Sequence, residues 1–61
     1  MIQMSMKDIR EMKRMGWMIK ALYKNHRGVP FTKSFKDRTE MDDFTKKAES
    51  AGSSLIEYRE I

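Results

Sequence analysis

The apolar residues near the start of the chain are spaced as in a short amphipathic helix over residues 5–15. They recur at intervals of three and cover one half of the helix circumference: Met6, Ile9, Met12 and Met15. Ser5 stands where an N-cap residue is expected, and Asp8, three residues later, completes a capping box. Glycine inside a helix costs about 1 kcal/mol relative to alanine. The helix is therefore predicted to end before Gly16.

From Trp17 onward the apolar residues recur at every second position, which predicts a β-strand over residues 17–24. A second alternating segment covers residues 29–35, and the turn-forming residues between the two segments predict a β-hairpin. The apolar residues of the first segment also suit the stripe of a helix. Continuation of the first helix to Tyr23 is therefore an alternative that the pattern leaves open.

The aromatic residues of the hairpin indicate the length of its loop. A three-residue loop with Gly28 in the left-handed conformation places Tyr23 opposite Phe31. The same loop places Ile19 opposite Phe35. A four-residue loop would put the two aromatic-rich faces on opposite sides of the sheet. We therefore predict the three-residue loop.

The next stretch of the chain predicts a second helix. Asp37 with Glu40, or Thr39 with Asp42, supplies its N-cap, and Gly52 suits the position after its last turn. Acidic residues fill the first turn, where they favour the positive end of the helix dipole. Its buried stripe is predicted to consist of Met41, Phe44, Ala48 and Ala51.

The final eight residues alternate again, with Ile56 and Tyr58 on one face and Leu55 and Ile61 on the other, which predicts a third strand. A right-handed crossover through the second helix makes this strand parallel to the second. Because Pro30 belongs at a sheet edge, the predicted strand order is 2-1-3. The chain is therefore expected to form a single α+β domain of order α-β-β-α-β, with a three-stranded, mostly antiparallel sheet, one helix on one face and a Met-rich N-terminal helix.

The second helix would cover only one face of this sheet and leave the other face open. Its apolar residues are predicted to be Met18, Leu22, Leu55 and Ile61. A chain of 61 residues without cysteine has little core and no disulfide. With a single histidine, a structural zinc is not expected either. We therefore expect a homodimer, formed through the Met-rich helix or through the open sheet face.

The charge is divided unevenly along the chain. Residues 1–36 hold nine basic side chains and two acidic ones, a charge of +7, whereas residues 37–61 hold four basic and seven acidic ones, a charge of −3. A field of this shape steers an acidic partner toward one end of the molecule. The predicted partner-binding residues are the cations of the first helix, strand and turn, with the tryptophan that the core does not need: Lys7, Arg10, Lys13, Arg14, Trp17, Lys20, Lys24 and Arg27.

No catalytic, metal-binding or cofactor-binding residues are predicted. His26 lies in the predicted turn beside Arg27 and has no nucleophile motif near it. Asp42 and Asp43 are adjacent on a helix and point about 100° apart, so they do not form a pair. The three glycines are isolated, and no phosphate-binding loop is present.

These features predict a small non-enzymatic regulator or inhibitor that binds an acidic surface of a protein partner stoichiometrically. A nucleic-acid-processing enzyme is the favoured partner class, since small basic proteins without cysteine are common products of mobile elements. The alternative is direct, sequence-independent binding to DNA or RNA. The acidic C-terminal half favours the protein partner, because it would repel a wrapped nucleic acid.

The sequence favours a cytoplasmic protein without a membrane or small-molecule partner. No apolar run approaches the roughly 18 residues of a membrane span. The first five residues lack the basic start and apolar stretch of a signal peptide.

Overall fold

The computed structural model describes residues 4–61, which form two helices and a three-stranded sheet. The elements are α1 (Met6–Met15), β1 (Ile19–Lys24), β2 (Pro30–Phe35), α2 (Arg38–Ser50) and β3 (Ser54–Glu60). The strand order is β2-β1-β3, and the central strand β1 is antiparallel to both neighbours. The edge strands β2 and β3 therefore run parallel to each other, and the predicted α+β fold is confirmed.

Helix α1 begins and ends at the residues that the sequence predicts. The Ser5 Oγ accepts a hydrogen bond from the Asp8 N–H at 3.2 Å, and the Asp8 carboxylate accepts one from the Ser5 N–H at 3.4 Å. This reciprocal pair satisfies two backbone donors at the start of the helix. At the other end Gly16 adopts a left-handed conformation with φ of 81°. Continuation of the helix to Tyr23 is therefore wrong.

The hairpin of β1 and β2 has the predicted register. Tyr23 lies opposite Phe31 and Ile19 lies opposite Phe35. Asn25 stabilises the loop, because its Oδ1 accepts hydrogen bonds from two backbone N–H groups further along the chain, at 2.9 and 3.0 Å. Strand β1 begins two residues later than predicted, at Ile19 rather than at position 17.

Helix α2 packs on one face of the sheet and forms the main core with it. Asp37 is the N-cap, its Oδ1 accepting from the Glu40 N–H at 2.9 Å. Met41 and Ala48 are buried, and Phe44 is half-buried against the core. Ala51 is exposed, so the predicted stripe is wrong at that position: the helix ends at Ser50, and Ala51 is its C-cap.

Aromatic side chains make up much of this core. The Tyr23 ring stacks on Phe31 with centroids 5.3 Å apart, and it meets the edge of Phe44 at the same separation. The Tyr23 hydroxyl is hydrogen-bonded to the Thr45 Oγ1 at 2.8 Å. These contacts join the hairpin to α2 and fix the position of the helix on the sheet.

Strand β3 contains an irregularity that the alternation of its residues conceals. Leu22 lies opposite Glu57, but the next residue of β1, Tyr23, lies opposite Leu55. Ile56 is therefore an extra residue, as in a β-bulge. As a result Leu55 packs against the core under α2. The prediction that Leu55 lies on the open face of the sheet is therefore wrong. Ile56 is instead 51% exposed.

Helix α1 lies on the opposite face of the sheet from α2. In β1, buried residues alternate with residues that face the α1 side of the sheet. One of the residues facing α1, Lys20, lines the same groove as Met12 of that helix. Met12 is buried and Leu22 is half-buried, whereas Met18 is exposed. Helix α1 thus covers part of the face that the sequence leaves open.

Candidate partner-binding surface

The outward side of α1 carries four exposed cations, which we call the basic surface: Lys7, Arg10, Lys13 and Arg14. Within residues 4–61 none of these side chains forms an ion pair or a hydrogen bond. They are held on one side because α1 is oriented by its buried residue Met12, which faces the sheet. Their charges are therefore available to a partner in solution.

Three of these four cations form a tight group. Lys7, Arg10 and Arg14 line one shallow groove together with Glu11. Arg10 and Arg14 are four residues apart on the helix, where two like charges destabilise a helix by about 0.2–0.5 kcal/mol. The fourth cation, Lys13, lies on the other flank of α1. Glu11 lies four residues from Lys7 and three from Arg14, so its charge offsets this repulsion in the free protein.

Lys13 shares its flank with the end of β3. It lines a groove with Ile9 of the same helix and with Arg59, Glu60 and Ile61. Apolar side chains, Ile9 and Ile61, line this groove, whereas the groove of the other three cations is lined by charged residues alone. Lys13 is therefore separate from the group of three, although the sequence pattern places all four cations on one helical side.

The structure places the other predicted site residues away from the basic surface. Trp17 and Lys20 are half-buried and line a groove beneath the opposite flank of α1, next to Asp8 and Glu11. Lys24 and Arg27 are exposed near the hairpin loop. Lys24 is four residues from Lys20 along the strand, which corresponds to about 13 Å. The eight predicted residues thus do not form a single surface.

Exposed methionines accompany the basic surface. Met6 and Met15, the first and last residues of α1, are 68% and 52% exposed, and Met18 just beyond the helix is 45% exposed. The apolar stripe predicted for α1 is therefore narrower in the structure, because the first and last of its four residues project into solvent. Methionine is flexible and polarizable, so it adapts its shape to an apolar partner.

The opposite face of the molecule is more acidic. Helix α2 has four acidic residues and three basic ones, whereas α1 has four basic and two acidic ones. The ion pair of α2 joins Arg38 to Asp42 at 3.9 Å, and the Arg38 guanidinium also lies 4.7 Å from the centre of the Tyr58 ring. The charge division along the sequence is thus reproduced in the two helices, although Lys33 of the basic half lies on the α2 face, 5.1 Å from the centre of the Phe44 ring. The stacking of Arg38 on Tyr58 has no sequence signal, because the two residues are distant along the chain.

Among residues 4–61, no cluster of three or more metal-ligating side chains is present. Neither helix of that range has the length and apolar character to cross a membrane. His26 is exposed in the hairpin loop.

Comparison with models of protein families, with curated proteins and with solved structures finds no match to this chain. The basic surface is therefore interpreted from its own residues, their exposure and their charge. Its combination of cations and exposed methionines is the feature that bears most directly on function.

Proposed function

We propose that this protein is a small regulator that binds a protein partner stoichiometrically, with the basic surface of α1 docked on an acidic surface of that partner. The observation that carries the proposal is the set of four exposed cations on a ten-residue helix, none of them ion-paired within residues 4–61. A nucleic-acid-processing enzyme is the partner class that we favour from the sequence.

The exposed methionines favour a protein over a nucleic acid as the partner. Methionine is enriched at protein interfaces, where its side chain contributes apolar contact area. Met6 and Met15 stand at the two ends of the basic surface. A partner with acidic residues at the centre of its contact and apolar residues at the margins would match both features. A phosphate backbone would use the cations and leave the methionines in water.

Direct binding to DNA or RNA is the second candidate. The grouping of Lys7, Arg10 and Arg14 in one groove supports it, because three adjacent cations suit a row of phosphates. Three phosphate contacts would give a slope of about −3 in a plot of log affinity against log salt concentration for duplex DNA. Affinity would be independent of base sequence.

A capture experiment with two charge-matched variants tests the proposal. Lys7, Arg10 and Arg14 are changed to glutamate in the test variant, and Lys36, Lys46 and Lys47 in the control, so each variant changes the formal charge from +4 to −2. Each protein is immobilised and incubated with lysate before and after nuclease treatment. The proposal predicts a protein captured after nuclease treatment by wild type and by the control, and lost from the test variant.

Two other outcomes would contradict the proposal. Capture that depends on intact nucleic acid would favour the second candidate instead. Capture of the same proteins by all three immobilised chains would show that the basic surface does not select the partner. Circular dichroism of each variant checks that α1 and the sheet remain folded.

A further inference from the structure

The methionines of the two helices differ in how far solvent reaches them. Met6 and Met15, the first and last residues of α1, are 68% and 52% exposed. Met12 of α1 and Met41 of α2 are 4% and 1% exposed. A small oxidant in solution therefore reaches the thioethers at the two ends of α1 more readily than those that are packed. We propose that Met6 and Met15 form an oxidation site, and that their conversion to sulfoxides by a peroxide releases the partner.

The reaction changes one atom of each side chain. A lone pair of the methionine sulfur attacks one oxygen of the peroxide, so that an S–O bond forms and the O–O bond breaks. The proton of that oxygen passes to the departing hydroxide, and with hydrogen peroxide the second product is water. The sulfur is oxidised by two electrons and the peroxide is reduced by two. A polar sulfoxide thus replaces an apolar thioether, and reductases reverse the change.

Release by oxidation rests on the proposed function, in which these two methionines supply apolar contact at the ends of the basic surface. Met6 stands four residues before Arg10, so the two side chains are neighbours on the helix. Met15 directly follows Arg14 at the other end. A partner that covers these ends would bury the sulfoxide oxygens against its apolar residues or its carboxylates, and either contact is unfavourable. Oxidation should therefore weaken binding although every cation keeps its charge.

The burial of the other two helical methionines should let the fold survive this reaction. Met41 belongs to the hydrophobic core under α2, together with Tyr23 and Phe35. Met12 is the buried residue of α1 and faces the sheet. Because both side chains are packed, a peroxide reaches them only when the structure opens. The oxidised protein should therefore keep its helices and its core while the surface of α1 becomes more polar.

Treatment of the unmodified protein with hydrogen peroxide, followed by peptide mapping with mass spectrometry, tests the site itself. We expect sulfoxide to form at Met6 and Met15 at least about tenfold faster than at Met12 and Met41. Circular dichroism should be unchanged when the exposed pair is oxidised. The partner from the capture experiment should then dissociate at least about tenfold faster, with little change in its association, because the cations still steer it. Methionine sulfoxide reductases should restore the slow dissociation.

Leucine variants identify the methionines that respond. Met6→Leu combined with Met15→Leu keeps apolar side chains of similar volume, so the affinity for the partner should stay within about threefold of wild type. This double variant should no longer release the partner when it is treated with peroxide. Met18→Leu is the matched control, because Met18 is 45% exposed but lies outside α1. The control should respond to peroxide as wild type does.

The proposal fails if the oxidised wild-type protein holds the partner as long as the reduced protein does. It also fails if the double leucine variant still releases the partner in peroxide, since other methionines would then be responsible. Oxidation of the two buried methionines as fast as the exposed pair, or unfolding of the chain by oxidation, would likewise overturn it. Failure of the proposed function has a different signature, because the glutamate test variant would then capture the partner as wild type does.

Discussion

Tyr23 is the residue that links the layers of the core. Its ring lies between Phe31 on the neighbouring strand and Phe44 on α2, and it is fully buried. The Thr45 hydroxyl donates to the Met41 carbonyl oxygen at 2.7 Å, so its oxygen is free to accept from the Tyr23 hydroxyl. The one polar atom of this side chain is thus satisfied in a position that water does not reach easily.

Replacement of Phe44 by alanine should unfold much of the population. Phe44 contacts Tyr23 and Phe35 with ring centroids 5.3 and 5.6 Å apart. Loss of a packed phenylalanine costs about 3–5 kcal/mol, and a domain of this size has about that much stability in total. Thermal denaturation followed by circular dichroism measures the effect, with exposed Met6→Ala as the control. A melting curve that coincides with wild type would show that Phe44 does not support the core.

At the scale of elements, the end of α2 meets the hairpin loop. Gly52 follows the C-cap with φ of 92°, and its N–H donates to the Glu49 carbonyl oxygen at 3.0 Å. A Cβ atom at this position would lie 3.0 Å from the Cβ of His26. The close approach joins two elements that are far apart in the sequence, and the left-handed backbone itself already favours glycine.

Gly52→Ala should therefore destabilise the protein more than Gly16→Ala. Both positions have positive φ, which costs about 1–2 kcal/mol for a residue with a Cβ. An added Cβ at Gly16 meets no atom within 4 Å, so Gly52→Ala has an additional steric cost. Urea denaturation of the two variants measures the difference in the free energy of unfolding. Equal values, or a larger loss for Gly16→Ala, would contradict the packing of His26 on Gly52.

The helices and the hairpin could be predicted because their signals are local. Ser5 with Asp8, Asp37 with Glu40 and the residue Gly52 act within one turn of chain, so the sequence shows them directly. The hairpin register follows from the loop length and the aromatic positions in the same way.

The bulge at Ile56 could not be predicted from alternation. It depends on the packing of Leu55 against the core under α2, a contact between distant parts of the chain. The exposure of Met6 and Met15 depends likewise on where α1 docks on the sheet. The position of α1 on the sheet also explains why the predicted cations do not form one surface. Lys20 points to the α1 face and lies at the flank of α1, whereas Lys24 lies beyond the helix.

At the scale of the whole molecule, the sheet separates two helices of different charge. Helix α1 presents the basic surface on one face, and the more acidic α2 covers the other. For the proposed acidic partner, such a distribution would orient the molecule during approach and raise the rate of encounter. We therefore expect binding to use one side of α1, and charge on the α2 side to have little effect on it.

The association rate of the captured partner with each charge variant tests this assignment most directly. At low salt we expect the variant with glutamate at Lys7, Arg10 and Arg14 to associate about tenfold or more slowly than wild type, with dissociation much less affected. The difference should shrink as salt rises, because ions screen the charges. The control with glutamate at Lys36, Lys46 and Lys47 should stay within about twofold of wild type. Equal association of the folded test variant and wild type at low salt would contradict the proposal that the basic surface binds the partner.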